Sequence, residues 1–186
     1  PDVCSSDLDL FLNAGTLVCD EEEIMEKNVV AGVAHSRDEA KLTLLSVADR
    51  PGIAAAIFGP LADAGVNVDM IVQNISEDGR TDMTFSCPVD QVARAEAAMA
   101  KAKDDGDINF AELIADTDVA KSSVVGIGMR SHAGVAAQMF KALRDEGINI
   151  RVITTSEIKI SVLIERKYTE LAVQALHDSF GLDKAA

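Results

Sequence analysis

Two short stretches hold the residue types from which a binding chemistry can be built: Asp49-Arg50-Pro51-Gly52-Ile53-Ala54 and Ser131-His132-Ala133-Gly134-Val135-Ala136. Each places a glycine just ahead of an amphipathic helix. The first amides of a helix lack internal partners and carry the positive end of its dipole, so a small carboxylate is a natural guest there. Gly52 and Gly134 remove side-chain bulk, which lets a ligand approach the backbone closely. Each stretch is followed by the start of a strand, Asn67-Val68-Asp69 in the first case and Asn149-Ile150-Arg151 in the second. Asn offers donor and acceptor, and a carboxylate holds an ammonium. Junction and strand start together would grip both ends of a free amino acid. Asp69 attracts an ammonium whereas Arg151 favours a carboxylate, so the two sites would not hold one ligand in one pose. Turn geometry alone is also sufficient reason for the Gly and Asn, and on the residues alone it is the stronger reading.

Other chemistries are poorly represented. His35, His132 and His177 have no Cys or His at metal-ligand spacing, and Cys4, Cys19 and Cys87 share no metal-like pattern. We therefore expect no metal site and reduced, structurally minor thiols. No P-loop is present, "GIGMRSHAG" lacks dinucleotide-loop spacing, and no Ser sits in a nucleophile elbow. No catalytic residue is assigned. A net charge of −14 argues against nucleic acid, including an RNA-binding sheet of similar shape. No apolar run approaches the ~20 residues of a membrane span. A cytoplasmic protein is expected.

The elements that would position these residues recur. "DRPGIAAAIFGPLADAGVNV" (49–68) and "SHAGVAAQMFKALRDEGINI" (131–150) match in register, a duplication within 186 residues. "NVVAGVAHS" and "KLTLLSV" read as two strands joined at "RDEA". Pro51 suits the first helical position, Gly59-Pro60 predicts an interruption and kink, and Gly65 a left-handed cap. Strands "NVDMIVQNIS" and "TDMTFSCPV" flank an Asp78-Gly79 turn, and "DQVARAEAAMAKAK" is an amphipathic helix. "AELIAD" and "KSSVVGIGM" open the second unit, which closes with "EIKISVLIE" and the helix "TELAVQALHDSFG". The fold class is α+β, as two tandem ferredoxin-like βαββαβ units with antiparallel sheets and helices on one face. "GTLVCDEEEIMEK" reads as a strand end and an acidic helix start capped by Asp20.

The segments "MIVQNISEDG", "GMRSHAGVAA" and "TSEIKISVLIERKYTELAVQALH" resemble the regulatory region of bacterial aspartokinase, over about residues 10 to 184. The resemblance implies two ACT domains that bind amino-acid effectors, following a kinase domain that phosphorylates L-aspartate with ATP on the route to lysine, threonine, methionine and diaminopimelate. "PDVCSSDL" resembles the translation of a sequencing-library adapter, so residues 1–8 are expected to be an artefact. The family resemblance implies 9–28 as the end of the kinase domain and linker, 29–108 as the first ACT domain and 109–186 as the second. The catalytic domain is absent, so this part should be inactive alone; ATP and Mg belong to the missing kinase domain, and no cofactor is expected here. The implied effector site comprises Asp49, Arg50, Pro51, Gly52, Ile53, Ala54, Asn67, Val68, Asp69 and Gln73. Ser76, Thr81 and Thr84 match positions tied to feedback sensitivity. From the second unit come Val135, Ala136, Ala137, Ile150, Arg151, Ser156, Glu157 and Ile158. Ala133 departs from a frequent proline. The implied partners are lysine and/or threonine, a second copy of the chain in a homodimer, and an aspartokinase catalytic domain or α subunit. The alternative is a stand-alone ACT-type sensing or dimerisation module without a kinase.

Overall fold

The computed structural model describes residues 29–75, 79–127 and 134–182. The expected helix start at 15–27, the boundary at 9–28, Ser76, Ser131, His132 and Ala133 lie outside them. In chain order the elements are β1 (Gly32–Ala48), α1 (Ile53–Asp63), β2 (Ile71–Ile75), β3 (Arg80–Cys87), α2 (Val92–Asp104), β4 (Glu112–Val125), α3 (Val135–Asp145), β5 (Ile150–Thr155), β6 (Lys159–Glu165) and α4 (Thr169–Phe180). The strands form one antiparallel six-stranded sheet, ordered β2-β3-β1-β4-β6-β5.

Two strands are long because each serves both units. The first half of β1 (Gly32–Ser36) pairs with Lys121–Val125 of β4, and its second half pairs on one side with β3 and on the other with Glu112–Asp116. The four strands over α1 and α2 are thus β2, β3, late β1 and early β4. Those over α3 and α4 are early β1, late β4, β6 and β5. "NVVAGVAHS" and "KLTLLSV" are therefore one strand and not two, and "AELIAD" and "KSSVVGIGM" likewise share one. "RDEA" does not turn the chain; it is bulged strand, beside a second bulge in β4. Between Ser36 and Glu39, β1 advances three residues while β4 advances two; from Glu39 to Lys41 the imbalance reverses. An extra residue in each strand shifts its apolar alternation while keeping that face under the helices. Hence Val33 on β1 is followed by Ala40, Leu42 and Leu44, and Leu113 on β4 by Val124. The bulged backbone is held by side chains. Arg166 donates to the Thr117 carbonyl at 2.6 Å, and Asp38 accepts from the Val89 amide at 3.0 Å.

Two cores result. Leu42, Leu44, Met83 and Phe85 meet Ile57, Leu61 and Met99 in the first; Val124, Val162 and Ile164 meet Met139, Leu143 and Leu176 in the second. Cys87 is buried in the first core, where burial foremost, then the Glu39 charge, pushes its thiol up to about 11. It stays protonated and poorly reactive at neutral pH. Pro60 does not interrupt α1, which runs on to Asp63. Among the described residues no helix is long and apolar enough to cross a membrane.

Candidate functional site

Both helix junctions adopt the same geometry. Gly52 (φ 87) and Gly134 (φ 108) are the N-cap residues, each followed by a buried first helical residue, Ile53 or Val135. Their carbonyls accept from Ala56 and Gln138 at 3.0 and 2.8 Å. Pro51 is therefore in the preceding turn and not at the first helical position. A positive φ makes glycine the residue of choice at both caps. Among the described residues a Cβ at either would meet nothing within 4 Å, so these residues leave the space above each junction open.

The structure does not bring junction and strand start together within the chain. The Asp49 amide donates to the Gly79 carbonyl at 2.9 Å, beside the Ala48–Arg80 pair. The Asp69 amide donates to the Ser86 carbonyl at 3.1 Å. Arg80 and Ser86 lie at opposite ends of β3, and at ~3.3 Å per residue that separation is roughly 20 Å. Asp49–Ala54 and Asn67–Asp69 of one chain therefore do not form the single grip expected from the sequence: strand start and junction are not neighbours, because β2 runs its full length between them.

Asp69 instead meets the second unit. The sheet's edge strands, β2 and β5, approach one another. This curls the sheet and encloses its helix-free face, where Glu39, Ser86, Val119, Ser123, Ser161 and Leu163 are buried. At one end opens a cleft of about 300 Å³ lined by Asp69, Met70, Ile71, Thr154, Thr155, Ser156 and Lys159. That is the lower end of the ligand-pocket range, roughly 300–1,000 Å³. It joins two groups expected at a site, Asp69 and Ser156, to a cation and hydroxyls that sequence reading missed. Hollows of about 400 and 600 Å³, between α1 and α2 and between α3 and α4, contain none of the expected residues, and one of about 360 Å³ beside the end of α3 contains Ile150.

The ammonium partner of Asp69 is already inside the chain. Lys121, on β4, donates to Asp69 Oδ2 at 2.6 Å and to Glu39 Oε1 at 2.5 Å. The Asp69 side chain is 48% exposed, Lys121 19% and Glu39 only 7%, so the row of charges runs inward from the cleft. The Lys121 hydrogen bond holds the Asp69 carboxyl below the usual carboxylate range; burial opposes it, and the charges of Lys121 and Lys159 reinforce it. Burial is the largest single influence on Lys121 and would lower its pKa. The hydrogen bonds to Asp69 and Glu39, with the charges of both carboxylates, together outweigh that and raise it. Arg151 is likewise engaged, donating to Glu165 at 3.0 Å, with Lys167 on the other oxygen at 2.7 Å. It is not a free carboxylate receptor in this chain.

The remaining expected residues divide by burial. Thr81 is buried and donates to the Asn74 carbonyl at 2.5 Å, tying the β2–β3 hairpin. Thr84 shares a hydrogen bond with Thr43 at 3.0 Å. Arg50 donates to the Asp107 carbonyl at 2.8 Å and Asn67 takes its bond through the backbone, from its amide to Gln91 Oε1 at 2.7 Å. Pro51, Ala54, Gln73, Ala137, Glu157 and Ile158 are exposed, Val68, Ala136 and Ile150 half-buried. Ile158 leaves 56% of its surface open beside the second hairpin. Among the described residues no group of His, Cys, Asp and Glu is arranged to hold a metal ion.

Two units, each of four strands under two helices, that exchange strands within one sheet and leave a small polar cleft between them define an ACT-domain protein. The ACT-domain family matches at residues 41–106 and again at 123–180. The chain is 44% identical to a chain in the crystal structure of aspartokinase alpha and beta subunits, with a TM-score of 0.74, covering 82% of this chain and 99% of that one. It is 40% identical to the regulatory subunit of aspartate kinase from Thermus thermophilus in its ligand-free form, with a TM-score of 0.76 and the same coverage. Aspartate kinase of Pseudomonas fluorescens is 53% identical over 173 residues, 92% of this chain but 41% of that protein. The chain belongs to the aspartate kinase family and corresponds to its regulatory, tandem-ACT part. It spans about two fifths of the length of the curated relatives it matches.

Proposed function

We propose that this chain is the amino-acid-sensing half of an aspartate kinase, binding lysine and/or threonine and passing feedback inhibition to a catalytic domain or α subunit. The observation that carries the reading is the cleft between the two ACT units. It sets the Asp69 carboxylate and the Lys159 ammonium at one small opening, with the hydroxyl-bearing residues Thr154, Thr155 and Ser156. These are complementary to the ammonium and carboxylate of a free amino acid. The cleft is built from both units, so a ligand bound there changes how they sit together. Coupling of ~1–3 kcal/mol is typical of such regulation. In the whole enzyme the regulated reaction would be transfer of phosphate from ATP, with Mg, to the side chain of L-aspartate. Pairing of two chains through their ACT units would complete the open junctions at Gly52 and Gly134. The relative crystallised as alpha and beta subunits supports a separate catalytic partner.

Isothermal calorimetry with L-threonine and L-lysine tests the reading. Binding of threonine or lysine is expected, weakened by Asp69→Ala, which removes the carboxylate, and by Thr84→Ile, which breaks the Thr43–Thr84 bond. Heats that are the same for both amino acids in the wild type and both variants, here and in the full-length kinase, overturn it.

A further inference from the structure

The cleft's charges are balanced before any ligand arrives. Asp69 and Glu39 are each negative, while Lys121 lies between them and Lys159 lines the opening. Lys159 has no ion pair of its own among the described residues, so it is available to a carboxylate. Asp69 is not equally available to a cation. One of its oxygens holds Lys121, and the other has no hydrogen bond among the described residues. Lys121 cannot readily withdraw to make room. Glu39 lies behind it, almost fully buried, and would be left as an unpaired carboxylate in a low-dielectric interior.

From this geometry we propose that Lys121 is the charge-selectivity residue of the cleft: an internal ammonium that admits amino acids with uncharged side chains and rejects those carrying a second ammonium. A zwitterion adds no net charge. Its carboxylate is met by Lys159 and its α-ammonium by the open oxygen of Asp69. A diamino acid such as lysine brings one positive charge more than the cleft can neutralise, because the carboxylate that would balance it is shared with Lys121. Hydroxyl groups on the side chain find partners in Thr154, Thr155 and Ser156. Lys121 thus acts as a built-in competitor for one class of effector. Its position on β4, between a carboxylate of β1 and one just ahead of β2, lets the second unit set the selectivity of the first.

This inference rests on the amino-acid-sensing reading, and the experiment separates the two. The 186-residue chain is titrated by calorimetry with L-threonine, L-lysine and L-norleucine, the last being lysine without its terminal ammonium. The double variant Glu39→Gln/Lys121→Met removes the internal ammonium without stranding a buried carboxylate. Wild type should bind norleucine at least as tightly as lysine. The double variant should shift that ratio tenfold or more toward lysine, and adding Asp69→Asn to it should abolish the gain. Where the double variant loses its native circular dichroism, the wild-type ratio decides, and tighter binding of lysine than norleucine overturns the proposal. An unchanged ratio in a folded double variant also overturns it but leaves amino-acid sensing standing. Absence of binding by all three to the wild type, here and in the full-length kinase, removes both.

Discussion

At the scale of single residues, Asp69 and Lys121 show how far a local reading can reach. Asp69 stands out because an acid at the start of a strand suggests an ammonium, and the structure supplies that ammonium. The donor was not legible. In "AKSSVV" Lys121 reads as an ordinary solvent lysine, and 52 residues separate it from Asp69. They meet because the sheet curls until its edge strands, β2 and β5, approach one another, and sequence spacing encodes neither the strand order nor that curl. The ion pair has a definite pH signature. The folded pKa of Asp69 is lowered, so its contribution is present above the unfolded value of ~4 and is lost as pH falls through the folded one. Lys121 is raised, so its contribution is complete below ~10.4 and is lost as pH rises through the folded value. Asp69→Asn should therefore cost stability at pH 7, by under ~1 kcal/mol because the carboxylate is half exposed. The deficit should shrink as the pH approaches 2. Urea midpoints measured at pH 7 and pH 2.5 check this, and a deficit of constant size would contradict it.

Among the elements, the helices and the hairpins were legible because their signals are local. The 3.6-residue apolar period marks α1 and α3, and each junction glycine marks a helix start. What failed also has a local cause. Pro60 reads as a break, yet a proline removes only one helical hydrogen bond, and α1, anchored by Ile57 and Leu61 in the first core, continues. The polar run Arg37-Asp38-Glu39-Ala40 has the composition of a turn, but the backbone there is bulged strand. Two glycines separate conformational from steric constraint. Gly52→Ala places an L-residue at positive φ with open space around it, so the cost should be backbone strain alone, ~1–2 kcal/mol. A Cβ on Gly126 would lie 2.2 Å from the Val29 carbonyl oxygen, so Gly126→Ala forces the backbone before β1 to move. Gly126→Ala should be the more destabilising in thermal unfolding. It should also accelerate exchange of the Ala31 amide, which donates to the Val125 carbonyl at 2.7 Å, whereas Gly52→Ala should leave that amide protected.

For the molecule as a whole, the duplication predicts two units but conceals how they are joined. The family resemblance places residues 29–108 in the first unit and 109–186 in the second, as though each were closed. The sheet is not divided there. The outer strand of the second unit is Gly32–Ser36, which precedes the entire first unit, and that of the first is Glu112–Asp116, at the start of the second. An exchange of this kind makes each unit depend on chain from across the boundary. Residues 109–186 alone would expose the β4 edge from Val119 to Val125, an unpaired ladder next to the second core. They would also lack Val30 and Val33, which pack into that core from ahead of β1 and from β1 itself. Expressed alone, 109–186 should fail to unfold cooperatively and should associate through that edge. A synthetic peptide of residues 29–39, added in trans, should restore a cooperative transition and slow exchange of the β4 amides, while a scrambled peptide should not. A segment 109–186 that folds by itself with the stability of the intact chain would show that the shared strands link the units without completing them. Should the peptide restore folding, the strand exchange also gives the effector signal a route. Any shift of β1 against β4 at the Glu39–Lys121 step must then be felt in both cores at once.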